Sequence, residues 1–225
     1  MDVRGLAAAL VDLVLPGDCA GCGDPVSPWC RHCLEELGPS TRPYPPGGPG
    51  VLAVGRYTGS LRAALLRYKE RGRRDLAGPL GALLAEALDE VVGPAGPGSA
   101  VWLVPAPSRP AAARARGGDH VARLCRAVAS QRPHLRIARP LTLARRARDS
   151  VGLDAEQRAA NLAGRVRVLP AALPVFGTGT VLLVDDVVTT GATLVTCCDA
   201  LAGAGLAVGA AIVLCDATTT ARLNC

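Results

Sequence analysis

One run of the chain, from Val181 to Thr193, constrains the fold more than any other. It reads VLLVDDVVTTGAT: four apolar residues, two adjacent carboxylates, and a threonine-rich turn that contains a glycine. A short, continuous apolar run is typical of a strand buried on both faces, as in a parallel sheet. In an open parallel sheet, ligands bind beyond the carboxyl ends of the strands. The run therefore predicts a buried strand at Val181–Val184, with Asp185 and Asp186 at the ligand-binding edge.

The rest of the chain has the pattern of an α/β fold. Apolar runs predict strands at 51–57, 101–104, 135–137, 166–169 and 206–214. Helical periodicity predicts helices at 61–68, 76–92 and 191–204, and after caps at Asp119 and Asp154. Strands that alternate with helices indicate a mostly parallel sheet flanked by helices. The segments 109–118 and 139–153 are predicted to be basic loops.

A Pro/Gly-rich segment, GPSTRPYPPGGPG at 38–50, marks a domain boundary. We therefore predict a small N-terminal module at 1–38, a linker at 39–50, and an α/β domain at 51–225. The N-terminal module begins with a helix, because Leu6, Leu10 and Leu13 recur at helical spacing. Asp12 interrupts the apolar stretch, and no apolar run reaches the roughly 20 residues of a membrane span. The sequence thus predicts a cytoplasmic protein without a membrane span.

Four cysteines after this helix have the spacing C-x2-C-x7-C-x2-C and are predicted to bind a structural Zn²⁺ ion. They are Cys19, Cys22, Cys30 and Cys33. Disulfides or unrelated cysteines are the alternatives, and a cytoplasmic location disfavours disulfides. His32 lies between two of the cysteines and could replace one as a ligand. The remaining five cysteines are interpreted as small core residues.

The charge balance is informative at one position. The net charge is +6, and Lys69 is the only lysine among 25 basic residues. An arginine excess beside abundant alanine and glycine is typical of biased codon usage, so it says little about nucleic acid. A lysine in a chain whose other basic residues are all arginines departs from that bias, which makes Lys69 a candidate site residue. A solvated helix end is the alternative for this position.

The acidic pair and the turn after it suit a phosphorylated sugar. Two adjacent carboxylates can accept hydrogen bonds from a pair of vicinal hydroxyls. Backbone N–H groups at a helix start, with threonine hydroxyls beside them, suit a phosphate, and Gly191 allows close approach. The residues therefore favour a ribose 5-phosphate. An acid pair that binds only Mg²⁺, or a strand end with an N-capping threonine, remains open.

The run VLLVDDVVTTGAT resembles the phosphoribosyl-diphosphate signature of type I phosphoribosyltransferases. The resemblance implies that Asp185 and Asp186 hold the ribose hydroxyls of phosphoribosyl diphosphate, which is bound with Mg²⁺. It also implies a 5-phosphate cradle made by Thr189, Thr190, Gly191, Ala192 and Thr193.

With its four metal-ligand cysteines before the α/β domain, the chain further resembles the ComF/GntX family, whose founding members act in DNA uptake and competence. The matching segments are Tyr57-Thr-Gly59, Tyr68-Lys69, Val104-Pro-Ala-Pro107, Arg116-Gly-Gly-Asp-His120 and Arg158-Ala-Ala-Asn161. This resemblance makes Lys69, Ser108, Arg109 and Arg116 candidates for diphosphate contact. Arg114 and the cluster Arg145, Arg146 and Arg148 are further basic candidates, although a solvated face explains most single arginines.

One segment departs from the family pattern. Gly118-Asp119-His120 stands where the family has Phe-Asn-Gln. Asp119 and His120 could replace those site residues. The favoured interpretation is that Asp119 is an N-cap and His120 an ordinary residue of the first helical turn.

Three functions are compatible with these features. The first is transfer of the phosphoribosyl group to an unknown acceptor, such as a nitrogen base. The second is a non-catalytic competence factor that binds single-stranded DNA or a helicase partner, although stacking aromatics are scarce. The third is a sensor of phosphoribosyl diphosphate. A homodimer stays open as the assembly.

Overall fold

The computed structural model describes residues 17–25, 27–93, 100–132, 134–144, 166–174 and 179–218. Several sequence predictions lie outside these ranges: the helix before the cysteines, the Arg145, Arg146 and Arg148 cluster, the helix after Asp154, the Arg158-Ala-Ala-Asn161 segment, and Cys225. None of the described helices combines the length and the apolar composition that a membrane crossing requires.

The described part of the chain alternates strands and helices. The strands are β1 (Val51–Arg56), β2 (Ala100–Pro105), β3 (Leu135–Ile137), β4 (Leu141–Leu143), β5 (Val166–Val168), β6 (Gly179–Val188) and β7 (Ala210–Asp216). The helices are α1 (Arg31–Glu35), α2 (Gly59–Glu70), α3 (Ala77–Val92), α4 (Pro110–Ala115), α5 (His120–Gln131) and α6 (Ala192–Gly203). Short 3-10 turns lie at Arg74–Leu76 and Pro170–Ala172.

Five strands form one parallel sheet in the order β1-β7-β6-β2-β3. A separate antiparallel pair, β4 and β5, brackets the undescribed segment 145–165. The predicted fold class, a mostly parallel sheet flanked by helices, is therefore confirmed. The continuous apolar runs of the sequence are strands covered on both faces, as expected for a parallel sheet.

Alternate side chains of each central strand enter different layers of the core. On β6, Leu182 and Val184 pack with α2, α3 and α5, whereas Val181 and Leu183 pack with α6. This alternation follows from the two-residue period of a strand. It determines which helices can contact the residues that follow Val184.

Four predicted segments differ from the structure. The strand predicted at 206–214 lies at Ala210–Asp216, because the Leu206 N–H is bonded to the Leu201 carbonyl in the turn after α6. The predicted basic loop at 109–118 contains the helix α4, which starts at Pro110, where a proline is tolerated because the first N–H groups of a helix lack partners. The predicted loop from Arg139 contains the strand β4. The strand predicted to end at Val184 continues to Val188, because β7 keeps pairing with it beyond the acidic pair.

The Pro/Gly-rich segment is hydrogen-bonded to the sheet at Thr41 and at Gly50, whose carbonyl oxygen accepts from the Ala211 N–H at 2.9 Å. Thr41 and Ala53 exchange backbone hydrogen bonds of 2.9 and 2.8 Å in an isolated antiparallel bridge. The Thr41 hydroxyl also donates to Asp216 Oδ2 at 2.9 Å. The domain division at this segment stays a prediction.

Helices α3 and α5 approach closely at Gly81, which gives a first testable prediction. A Cβ at Gly81 would lie 2.6 Å from the Ala127 Cβ, so Gly81→Ala must push the helices apart. We expect a loss of about 1–3 kcal/mol in the free energy of unfolding, measured by urea denaturation. Gly78→Ala is the matched control on the same helix, since a Cβ there meets nothing within 4 Å. The control is expected to be neutral or to stabilise by up to about 1 kcal/mol; equal effects of both changes would contradict the packing account.

Candidate functional site

A cavity of about 310 Å³ opens at the carboxyl edge of the sheet, between β2 and β6. Strand β2 stops at Pro105, opposite Val184, so no described strand pairs with β6 beyond that point on this side. The helix α5 that follows β2 covers one face of the sheet, and the helix α6 that follows β6 covers the other. Helices that leave for opposite faces create the crevice in which open α/β sheets bind ligands.

The cavity brings together residues that are distant in the sequence. Its lining includes Lys69, Ser108, Arg109, Arg116, His120, Asp185, Asp186, Thr189 and Thr193. Eight of these were candidates from the sequence, and His120 was the disfavoured one. Of the five residues of the predicted phosphate cradle, Thr189 and Thr193 are in this lining.

The two carboxylates face different layers because they are neighbours on a strand. Asp186 shares the alternation of Leu182 and Val184, and its side chain lies under α2 and α5. Asp186 is 4% exposed. Asp185 Oδ1 accepts a hydrogen bond of 2.8 Å from the Asp186 backbone N–H, which fixes its rotamer.

Asp186 is held by two cationic or polar partners on the same oxygen. Lys69 Nζ, at the end of α2, lies 2.7 Å from Asp186 Oδ2. His120 Nε2, at the start of α5, lies 2.6 Å from that oxygen. A buried carboxylate is stable only when it is paired and hydrogen-bonded, and these two contacts supply both. The lone lysine of the chain is therefore in the site and is not a solvated helix end.

The two aspartates differ in protonation. Burial raises the pKa of Asp185 to about 8, and the negative charge of Asp186 adds to the increase. Burial also opposes ionisation of Asp186, but the hydrogen bond from His120 and the charge of Lys69 outweigh it and lower the pKa of Asp186 to about 2. The two carboxyls therefore ionise separately, Asp186 at the lower pH and Asp185 at the higher one.

His120 is not the ordinary first-turn residue that the sequence favoured. Asp119 does cap α5, since its Oδ1 accepts a 3.2 Å hydrogen bond from the Ala122 N–H. His120, however, is 4% exposed and bonds to Asp186. Because Asp186 is ionised, Nε2 carries the hydrogen of that bond, while Nδ1 is buried without a partner among the described residues. His120 thus positions the carboxylate.

The loop after β2 forms the wall opposite the acidic pair. The Ser108 hydroxyl donates to Asp119 Oδ1 at 3.2 Å, which ties this loop to the start of α5. Arg109 precedes α4 and is exposed, and Arg116 follows that helix and is half-buried. Arg114 is exposed on α4. Cationic side chains thus stand across the cavity from Asp185 and Asp186.

The turn between β6 and α6 depends on Gly191. Its φ of 77° lies in the left-handed region, and a Cβ there would lie 2.1 Å from the Pro45 Cβ of the linker. Glycine therefore permits both the turn and the close contact with the linker. Thr189 and Thr190 are exposed directly before it, at the start of the helix.

The four cysteines form one compact cluster. Their Sγ atoms all lie within 4.8 Å of one another, and the pairs Cys19–Cys33 and Cys22–Cys30 are each 3.6 Å apart. A tetrahedral ion with ligand bonds of about 2.3 Å requires sulfur separations of about 3.8 Å, so the cluster fits one metal ion. The Cys30 backbone N–H donates to Cys19 Sγ at 3.3 Å, as expected when that sulfur is a thiolate.

The cysteine cluster is attached to the helix that carries Lys69. Asp18, next to the first cysteine, pairs with Arg67 at 3.1 Å and with Arg73 at 2.9 Å. Arg67 Nη1 also donates to the Cys19 carbonyl oxygen at 3.0 Å. A Cβ at Gly21 would lie 2.9 Å from Ser60 Cβ, so the turn between Cys19 and Cys22 packs directly on α2. The cluster therefore supports one wall of the candidate site.

Comparison with known proteins gives a matching family for the C-terminal part of the chain. Residues 123–223 match the phosphoribosyl transferase domain, so this part carries a domain of that type. No curated protein sequence matches the chain.

Two kinds of solved structure are similar to the chain. A hypoxanthine phosphoribosyltransferase of Trypanosoma cruzi is 19% identical, with a TM-score of 0.36, over 66% of this chain and 66% of that one. Hypoxanthine phosphoribosyltransferase of Staphylococcus aureus is 17% identical, also with a TM-score of 0.36, over 66% of this chain and 65% of that one. The similar region thus spans slightly less than two thirds of either enzyme.

Proposed function

We propose that the protein binds phosphoribosyl diphosphate at the cavity between β2 and β6 and transfers its phosphoribosyl group to an acceptor. One observation carries this proposal: the acidic pair, the threonine turn and a set of cations converge on a single cavity. The match of residues 123–223 to the phosphoribosyl transferase domain supports it. The run VLLVDDVVTTGAT and the four-cysteine cluster together support the narrower assignment to the ComF/GntX family.

Each part of the cavity has a distinct role in this proposal. Asp185 and Asp186 accept hydrogen bonds from the ribose hydroxyls, which orients the sugar. The turn from Thr189 to Thr193 binds the 5-phosphate through its N–H and hydroxyl groups. Ser108, Arg109 and Arg116 contact the diphosphate. Lys69, at the end of α2, adds a positive charge beside Asp186. These cations stabilise the negative charge that develops on the departing diphosphate.

The two metal ions of the proposal would be bound in different ways. Mg²⁺ would enter with the diphosphate and neutralise charge on the leaving group. Lys69 and His120 both contact Oδ2 of Asp186, which leaves Oδ1 to accept a ribose hydroxyl, so the role of Asp186 in this proposal is to position the sugar. Zn²⁺ would be held by Cys19, Cys22, Cys30 and Cys33, where a closed four-thiolate shell serves folding.

Calorimetric titration with phosphoribosyl diphosphate in the presence of Mg²⁺ tests the proposed function. We expect saturable binding with one site per chain and release of diphosphate when a suitable acceptor is added. Binding without release for any acceptor would instead favour a sensor. Salt-dependent binding of single-stranded DNA, with no binding of phosphoribosyl diphosphate, would overturn the proposal in favour of a nucleic-acid role.

The protonation of Asp185 makes ligand affinity depend on pH. The pKa of Asp185 is raised to about 8, so the free protein must lose a proton before this carboxylate can accept a hydroxyl hydrogen bond. Affinity for phosphoribosyl diphosphate should therefore rise about tenfold between pH 7 and pH 9 and level off above the pKa. Asp185→Asn should bind weakly and without this pH dependence. An affinity of the wild type that is flat over this range would contradict the assignment.

A further inference from the structure

The linker at 39–50 packs against the turn that is proposed to bind the 5-phosphate. Gly191, in the middle of this turn, is buried, and a Cβ there would lie 2.1 Å from Pro45 Cβ and 2.8 Å from Pro45 Cγ. Pro45 is also buried, and it is not part of the lining of the cavity between β2 and β6. The proline ring therefore contacts the turn from outside the ligand cavity.

The turn itself has little internal support. Thr189 and Thr190 are exposed, and Thr190 Oγ1 accepts from the Ala192 N–H at 3.4 Å, which is long for a hydrogen bond. The N-cap of α6 is Gly191, which has no side chain to accept from the N–H groups of the first helical turn. These N–H groups stay available for a phosphate, but the conformation of the turn needs a restraint from elsewhere.

The linker is stiff at the point where it contacts the turn. The Gly48 N–H donates to the Pro45 carbonyl oxygen at 2.9 Å, and Gly47 has a φ of 70°, as the third residue of a type II turn requires. Pro46, the second residue of this turn, has its φ fixed by the ring. A Cβ at Gly48 would lie 3.2 Å from Val195 Cγ2, so the end of the linker turn also approaches α6.

Both ends of this part of the linker are attached to the sheet. Thr41 forms the antiparallel bridge with Ala53, and the Gly50 carbonyl oxygen accepts from the Ala211 N–H at 2.9 Å. A short segment that is bonded at both ends and contains several prolines loses little further entropy when it packs on a neighbour. The linker thus presents a fixed surface to the turn before α6.

We propose that Pro45 is a positioning residue of the phosphoribosyl site, which holds the turn from Thr189 to Thr193 in the conformation that binds a phosphate monoester. This inference rests on the proposed function, because the phosphate in question is the 5-phosphate of the sugar. A turn that is ordered before the ligand arrives does not have to be ordered at the expense of binding free energy. The linker is then part of the binding machinery and more than a connection between two units.

Hydrogen exchange in the free protein tests the packing part of the proposal. The Val195 N–H donates to the Gly191 carbonyl oxygen at 3.0 Å, which closes the first turn of α6. This N–H should exchange about tenfold faster in Pro45→Gly than in the wild type. Pro46→Gly is the matched control, because it also frees the linker backbone but removes an exposed ring. Unchanged exchange in Pro45→Gly, or an equal increase in both variants, would overturn the proposal.

Separate titration of the two parts of the ligand tests the functional part. Ribose 5-phosphate and magnesium diphosphate are each titrated by calorimetry. Pro45→Gly should bind ribose 5-phosphate about tenfold more weakly and magnesium diphosphate as tightly as the wild type does. Equal losses for both compounds would indicate a general structural defect and overturn the proposal. Tighter binding of ribose 5-phosphate would show that the linker obstructs the turn, which also contradicts a positioning role.

A double variant measures the coupling between Pro45 and the turn. Gly191→Ala places a methyl group against the proline ring and should weaken binding of ribose 5-phosphate. Pro45→Gly removes the ring atoms that this methyl group would meet, so the double variant should lose less affinity than the product of the two single losses. The left-handed φ at position 191 strains alanine in both backgrounds and cancels in this comparison. Losses that simply multiply would show that the two positions act independently and overturn the proposal.

The two proposals fail in distinguishable ways. If the wild type binds neither ribose 5-phosphate nor phosphoribosyl diphosphate, the proposed function is rejected, and the inference about Pro45 is rejected with it. If the wild type binds both compounds and Pro45→Gly binds them equally well, the inference about Pro45 alone is rejected and the proposed function is left intact.

Discussion

Replacement of both Asp185 and Asp186 by asparagine is expected to lower the affinity for phosphoribosyl diphosphate at least 100-fold. At pH 9, above the pKa of Asp185, both carboxylates are ionised. A hydrogen bond to a charged group contributes about 1.5–3 kcal/mol, and the double substitution removes two such acceptors from the ribose hydroxyls. The amide groups would also present N–H donors where hydroxyl donors arrive. Calorimetric titration with Mg²⁺ present measures the loss, and thermal unfolding establishes that the variant is folded.

Two further variants make this result specific. Asp199→Asn removes a carboxylate from an exposed position on α6 and should leave affinity unchanged. Asp185→Asn alone keeps Asp186 with its partners Lys69 and His120, so a folding defect is not expected. If the double variant is folded and binds as tightly as the wild type, the acidic pair does not hold the sugar.

Loss of the metal from the cysteine cluster is expected to have the largest effect on stability. Cys33 is fully buried, and its cluster anchors the contacts from Asp18 to Arg67 and Arg73. Structural zinc sites supply much of the folding free energy of small metal-binding units. We expect about one Zn²⁺ per purified chain, and a decrease in Tm of about 10 °C in Cys33→Ser, which corresponds to a loss of roughly 3–4 kcal/mol for a chain of this size.

A cysteine outside the cluster provides the control for that experiment. Cys198 is half-buried on α6, and Cys198→Ser should retain the metal and change Tm by less than about 3 °C. Metal content below about half an equivalent in the wild type, purified without chelators, would argue against a four-thiolate site. An unchanged Tm after Cys33→Ser, with the metal lost, would show that the cluster does not support the fold.

Local sequence patterns predicted the sheet and most of the polar lining of the candidate site. The apolar run before Asp185 could be recognised because a buried parallel strand requires it, and the cysteine spacing predicted the cluster that the structure contains. Lys69 was singled out as the only lysine of the chain and by the resemblance of Tyr68-Lys69 to the ComF/GntX pattern. In the acidic run and in the cysteine cluster the informative residues are close in the sequence, so these signals can be recognised without knowledge of the tertiary structure.

The missing parts of the site depend on contacts between distant segments. His120 was missed because its partner, Asp186, is 66 residues away, and because the cap formed by Asp119 gave it a sufficient local explanation. The alternation along β6 was the available signal: it places Asp186 on the face of Leu182 and Val184.

The discrimination between ribose 5-phosphate and 2-deoxyribose 5-phosphate tests the central claim most directly. If the acidic pair accepts hydrogen bonds from both ring hydroxyls, removal of one should weaken binding to the wild type at least tenfold. In the variant with Asp185→Asn and Asp186→Asn the two sugars should bind equally and weakly. Equal affinity of the wild type for the two sugars, or failure to bind ribose 5-phosphate, would contradict the assignment of this cavity to a phosphoribosyl group.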